Sequence, residues 1–251
     1  DGNGTVDETR TGPSNTSVSH VYAATGTYTV RVTATDKDHD TGAAATFTVT
    51  ISNVTMQDGT MFVGGTTGAD SIAISRSGNS GDMTVSLNNV AQGTFHPTVR
   101  IVVFGGDDDD SIQIVGSIDL PAEVYGGAGN DQIKGGGGHD ILIGGEGNDL
   151  LLGGGGRDVL IGGVGSDRLV GNTDDDILIA GSTDFDANDT ALRAIQAEWT
   201  SNREYATRVN NLKGTGSGVR LNGSVFLAVD EVLSGGGVIH GTVHDDHAVD
   251  I

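Results

Sequence analysis

Between residues 126 and 179 one apolar residue returns every nine positions, as Ile133, Leu142, Leu151, Leu160, Leu169 and Leu178, each at the centre of a three-residue segment such as QIK, ILI or LLL. The pattern predicts a three-residue strand whose middle side chain points inward, followed by a six-residue turn in which glycines take backbone angles closed to other residues. Two nonapeptides then make one coil of 18 residues, so that Ile133, Leu151 and Leu169 stack in one row and Leu142, Leu160 and Leu178 in the other. The expected product is a flat solenoid with a thin aliphatic core. Elsewhere the pattern changes. Residues 19–52 alternate apolar and polar positions, as half-buried strands do, with DKDHDTG as the turn between two of them. Residues 60–116 read as short strands separated by Gly, Asn and Asp, and two pieces of this stretch, GTTGADSIA from Gly65 and GGDDDDSIQ from Gly105, are degenerate versions of the nonapeptide.

Residues 188–214 are the only segment with helical periodicity. Asn188 is placed to cap the first helix, Leu192, Ile195 and Trp199 fall on one face, and Ser201 with Glu204 reads as a capping box for a second helix ending at Gly214. A hairpin of this kind is expected to cover the open end of the solenoid, because repeat arrays need caps. After Gly214 the chain returns to strand and leads into a further repeat cut off at its sixth-position Asp250.

Composition sharpens this picture. The 251 residues include 42 glycines and one Trp, and the formal net charge is −21. Such a surface repels nucleic acid and anionic lipid and attracts cations. With no cysteine there are no disulfides, thiolate zinc sites or cysteine nucleophiles, and no apolar run reaches the roughly 18 residues of a membrane span.

The turns place the charge in register. Asp131, Asp149 and Asp167 lie 18 residues apart on one side, and Asp140, Asp158 and Asp176 lie 18 apart on the other. Carboxylates stacked at about the 4.8 Å spacing of strands repel one another unless a cation sits between them. A hard ion with about six to eight oxygen ligands at about 2.3–2.6 Å suits carboxylates joined by turn carbonyls, which selects Ca2+ over Mg2+ or Zn2+. The pairs 131/149, 149/167, 140/158 and 158/176 give about four well-formed sites. The metal-site residues are therefore Asp110, Asp131, Asp140, Asp149, Asp158, Asp167 and Asp176, with Gly126, Gly135, Gly144, Gly153 and Gly162 opening the turns.

The run GGAGNDQIK, GGGGHDILI, GGEGNDLLL, GGGGRDVLI, GGVGSDRLV, GNTDDDILI resembles the calcium-binding nonapeptide repeats of RTX (repeats-in-toxin, hemolysin-type) β-roll proteins. His20, Tyr22, Gly26, Tyr28, Val30, Val32 and Asp36, with DGNGT at residues 1–5, resemble the second half of a PKD (polycystic kidney disease) domain, an immunoglobulin-like sandwich. The first strands of that sandwich are absent, which leaves a sheet edge able to pair with another chain. These resemblances imply a secreted or cell-surface bacterial protein. They also imply a module that is disordered in the low-calcium cytosol and folds at extracellular calcium. The fold class expected is mainly β: a partial PKD-like sandwich over 1–53, degenerate solenoid coils over 54–125, an RTX β-roll over 126–183, a helical cap over 184–214 and C-terminal strands over 215–251.

No G-x-S-x-G, P-loop or H-E-x-x-H motif is present. The concentration of other ligands, His240, His244, Asp245, Asp246 and His247, raises Zn2+ as a second metal, although its flanking residues favour loop or strand over the helix that would converge the imidazoles. A second route to activity is an ion at the end of an aspartate row, where a retained water could act as nucleophile. The acid clusters Asp107–Asp110 and Asp174–Asp176 are expected at such ends. The alternative function is accordingly a metal-dependent hydrolase of phosphoesters or esters, with His244, Asp174 and Asp176 as candidate catalytic residues.

Overall fold

A computed structural model describes residues 26–33, 35, 38, 41–78, 80–228, 231–232, 238–239 and 243–244. The chain divides into two units, Asp1–Asn53 and Val54–Ile251. In the first, β1 (Gly26–Val32) and β2 (Ala45–Ile51) form an antiparallel pair with Gly26 opposite Ile51 and Val32 opposite Ala45. The alternation of Thr with Tyr, Val and Phe along both strands is the period of a pleated sheet with two unlike faces. His20, Tyr22 and Asp36 lie outside the described residues.

The second unit is a solenoid of two facing sheets. It opens with β3 (Val54–Gln57), β4 (Thr60–Gly64), β5 (Ser71–Ser77), β6 (Asp82–Leu87) and β7 (Val90–Phe95). The coils continue through β8 (Arg100–Gly106), β9 (Ser111–Ile114), β10 (Ala122–Ala128) and β11 (Gln132–Lys134). They close with β12 (Ile141–Glu146), β13 (Leu150–Gly154), β14 (Val159–Val164), β15 (Arg168–Asn172) and β16 (Ile177–Ile179). One sheet runs β16-β14-β12-β10-β8-β4-β3 and the other β15-β13-β11-β9-β5-β6-β7. Within them β4, β8, β10, β12, β14 and β16 are parallel, as are β5, β9, β11, β13 and β15. Antiparallel β3 and β6–β7 close the N-terminal edges.

The register sets Ile133 beside Leu151 and Leu151 beside Leu169 in one sheet, and Leu142 beside Leu160 and Leu160 beside Leu178 in the other. Ile133, Leu142, Leu151 and Leu160 are buried in a core that extends to Met61, Val63, Ile72 and Ile74. Each such side chain contributes about 1.5–3 kcal/mol by leaving water. Leu178, on the last strand, is 48% exposed. The core is therefore open at that end among the described residues.

The helices α1 (Asp189–Trp199) and α2 (Tyr205–Leu212) do not cover that end. Leu192, Ile195, Trp199 and Leu212 pack with Ile141, Ile143, Val159, Ile161 and Ile179, the outward-facing residues of β12, β14 and β16. The outer faces of β12, β14 and β16 carry apolar side chains that also need cover, and the hairpin supplies it. Asn188 caps α1 as expected, its side chain accepting from the Ala191 N–H at 3.1 Å. The capping box at Ser201 does not form. The Ser201 hydroxyl instead donates to the Glu198 carbonyl at 2.7 Å, and Glu204 stands at the N-cap of α2 without a side-chain cap bond. Between the helices Glu198 is fully buried and accepts from Arg203, from Asn211 Nδ2 at 2.7 Å and from the Leu221 N–H at 2.8 Å. Burial opposes its charge, yet these donors outweigh it and hold the carboxyl below its ordinary range. Arg208 stacks on the Trp199 ring at 4.6 Å and reaches Asp175 at 3.0 Å, tying the hairpin to the last turn.

Just before the helices, β17 (Ser182–Thr183) pairs with a strand that follows them, and two further late strands pair with each other. In chain order the late strands are β18 (Glu231–Val232), β19 (Val238–Ile239) and β20 (Val243–His244), with β17 opposite β20 and β18 opposite β19.

Candidate metal centre

Each sixth-position Asp follows its turn and precedes the next strand, so the parallel register stacks the carboxylates. In the first row the Asp131 N–H donates to Asp149 Oδ1 at 2.8 Å and the Asp149 N–H to Asp167 Oδ1 at 2.8 Å. In the second row the Asp140 N–H donates to Asp158 Oδ1 at 2.8 Å and the Asp158 N–H to Asp176 Oδ1 at 2.9 Å. One carboxylate oxygen of each Asp is thus spent on holding the coils in register. The other points into the turn. Oδ2 of Asp110, Asp131, Asp149 and Asp158 is buried with no hydrogen-bond partner.

Buried acceptors of this kind are rare because each costs about 1–3 kcal/mol, more when charged. Burial accordingly lifts Asp110 to about 6, Asp140 and Asp149 to about 7 and Asp158 to about 8, and raises Asp131 and Asp176 as well.

The first glycine of each turn keeps this space open. A Cβ at Gly144 would lie 2.2 Å from Asp149 Oδ2 and 2.4 Å from the Gly162 carbonyl oxygen, and one at Gly126 would lie 2.3 Å from Asp131 Oδ2 and 2.5 Å from the Gly144 oxygen. Gly135, Gly153 and Gly162 repeat the arrangement with Asp140, Asp158 and Asp167. The second glycine has a different reason: Gly145 sits at φ +120°, with the Gly127 oxygen 2.0 Å from where a Cβ would stand. In the decayed repeat from Gly171, Asn172 and Asp174 take up left-handed angles of φ 81° and 71°, which Asn and Asp tolerate better than other side chains.

The residues fit a hard divalent cation. Among the described residues no three His, Asp or Glu side chains gather at one point; a cation in these rows would be held by carboxylate oxygens from successive coils together with turn carbonyls. That is the oxygen-rich, flexible set that suits Ca2+. When bound, Ca2+ would supply positive charge to the buried carboxylates.

One expectation about the ends of the rows is corrected, while Asp176 does stand at the C-terminal end of the second row. Asp107–Asp110 is not a row end, because the Asp110 N–H donates to Asp131 Oδ1 at 2.8 Å and Asp110 Oδ1 in turn accepts from the Asp70 N–H at 2.7 Å. The row finishes at Asp70, where Asn88 Nδ2 donates to Oδ1 at 2.6 Å and the Thr66 N–H donates to Oδ2. The second row begins at Asp140, which accepts from the Ala122 N–H at 2.8 Å and the Gly136 N–H at 2.8 Å. Protein donors therefore close both N-terminal ends. Asp70 is a row member that sequence reasoning passed over, although its sixth position in GTTGADSIA was the signal. Asn88, which sits in the inserted hairpin, carried no such mark.

The remaining candidates are not brought together. Asp174 is exposed, Asp176 ends the second row, and His244 lies on β20 with its Cα opposite Ser182. His240, Asp245, Asp246, His247 and Asp250 lie outside the described residues, and nothing described supports Zn2+.

A parallel β-solenoid with two internal rows of buried carboxylates defines a class of cation-binding repeat protein. Comparison with family models makes it specific. Residues 123–151 and 152–184 match the RTX calcium-binding nonapeptide repeat in four copies, and residues 2–51 match the PKD domain. Residues 123–184 of the solenoid thus carry RTX calcium-binding repeats, which supports a calcium-binding RTX module. Comparison with curated proteins and with solved structures gives no match.

Proposed function

We propose that this solenoid folds on calcium and serves as a scaffold or secretion module of an extracellular bacterial protein. The observation that carries the reading is the set of buried Oδ2 atoms on Asp110, Asp131, Asp149 and Asp158, which have no protein donor. Bound Ca2+ compensates them, with Asp110, Asp131, Asp140, Asp149, Asp158, Asp167 and Asp176 as the carboxylate ligands. A net charge of −21 opposes compaction until those ions bind. Binding energy then becomes folding energy. RTX repeats and PKD domains are typical of extracellular bacterial proteins, which supports an extracellular setting, where calcium is plentiful. No helix among the described residues is long and apolar enough to cross a membrane.

Circular dichroism during a calcium titration tests the proposal. From a chelated start, Ca2+ is expected to raise the β signal cooperatively and to lift the melting temperature, with Mg2+ a poor substitute because it dehydrates reluctantly. Full β structure in excess chelator would contradict it.

A further inference from the structure

We propose that a cavity between two insertions in the solenoid binds one ring of a neutral saccharide. Successive members of the first row are 18 residues apart in the regular coils, but 40 residues separate Asp70 from Asp110 and 21 separate Asp110 from Asp131. The longer insertion supplies β6 and β7; the shorter lies in the connection between β9 and β10. Together they border an open cleft of about 280 Å³ lined by Arg76, Met83, His96, Pro97, Asp119 and Leu120. This space belongs to neither aspartate row. It arises only where the chain departs from its repeat, and such departures are where binding residues concentrate.

The polar groups are held in place. His96 Nδ1 lies 2.7 Å from Asp82 Oδ1, and Ser80 donates to the other oxygen of Asp82. Those hydrogen bonds, Ser80 first and His96 next, hold Asp82 below its usual range, so the carboxylate keeps its charge and fixes the imidazole with Nδ1 as donor. The imidazole lies against Gly81, where a Cβ would meet its Cε1 at 3.3 Å. Across the cavity Arg76 Nε donates to the Ser117 carbonyl at 2.5 Å, and its Nη2 lies 3.5 Å from Asp119.

The chemistry of the ligand follows from these commitments. Two carboxylates against one guanidinium give no positive field for phosphate or sulfate. Arg76 commits its Nε–H to Ser117 and faces Asp119 with Nη2, so its charge is already partly offset by a carboxylate before any ligand arrives. It retains further N–H groups for ligand acceptors. Asp119, which is 79% exposed, is an acceptor, and the His96 ring adds a second polar group. Hydroxyl groups, which donate and accept at once, suit this mixture. Met83, Pro97 and Leu120 offer an apolar wall for the C–H face of a sugar. The volume falls below the roughly 300–1,000 Å³ of drug-sized sites, which limits the occupant to one ring.

The test is saturation-transfer difference NMR of the calcium-loaded full chain with glucose, galactose, mannose and N-acetylglucosamine, followed by titration of the His96 ring signals. At least one sugar is expected to bind and to shift those signals. His96→Ala and Asp119→Asn should each weaken binding about tenfold, the loss of roughly one hydrogen bond, without moving the melting temperature. Asp119→Asn is isosteric and exposed, so it remains informative if His96→Ala perturbs the hairpin. The proposal is overturned if none of the four sugars binds, if binding survives Asp119→Asn, or if glycine or inorganic phosphate binds in preference.

Discussion

Replacing Gly144 with alanine is expected to destabilise the calcium-loaded chain by about 3 kcal/mol and to weaken calcium binding at the adjoining turns. The backbone at Gly144 is not left-handed, so conformational strain is not the cause. The added methyl would stand 2.2 Å from Asp149 Oδ2 and 2.4 Å from the Gly162 oxygen, both backed by packed coils. Either the carboxylate turns away or the coils separate, and each outcome spoils the oxygen set that holds the ion. Gly64→Ala is the matched control, because a Cβ there meets nothing within 4 Å. Urea unfolding in saturating calcium should shift the midpoint of Gly144→Ala far below wild type while Gly64→Ala stays within about 0.5 kcal/mol. Equal effects from the two would mean that the turn space has no special role.

The second large effect is a reversal of pH dependence by calcium. Burial raises the folded-state pKa of Asp140 and Asp149 to about 7 and of Asp158 to about 8, from an ordinary value of 3.8. A carboxyl raised on folding binds more protons in the folded than in the unfolded state, so stability falls as pH climbs between those values. The penalty is absent below about pH 4 and complete above about pH 8. Calcium-stripped protein in metal-free buffer should therefore gain β structure as the pH is lowered from about 8 towards 5. Calcium acts in the opposite sense, because it needs ionised carboxylates and binds less well in acid. Thermal melts with and without calcium should give stability curves of opposite slope. Parallel curves would mean that the rows are not the ion sites.

Much of this was legible in the sequence, for a physical reason. In a solenoid the neighbours of a residue lie one coil away, so a fixed period of 18 encodes the contacts of Leu151 with Ile133 and Leu169 and the stacking of Asp149 on Asp131 and Asp167. Where the period breaks, so does legibility. The hairpin of α1 and α2 lies on the flank, and the signal was local: β11 reads QIK, with polar residues facing out, whereas β12 and β14 read ILI and VLI and need cover on their outer face. The Asn88 closure of the first row depends on a hairpin that returns 18 residues later to Asp70, and no repeat records it. Ser201 and Glu204 had the spacing of a capping box, but Glu198 draws Arg203 into the gap between the helices and the hydroxyl turns back to α1.

Anomalous scattering from crystals of the calcium-loaded protein tests the central claim most directly. Peaks are predicted along both rows, between Asp131 and Asp149, between Asp149 and Asp167, and between Asp140, Asp158 and Asp176 in succession, with turn carbonyls completing each oxygen shell at about 2.3–2.6 Å. A well-ordered solenoid in saturating calcium with no anomalous peak in either row would contradict it.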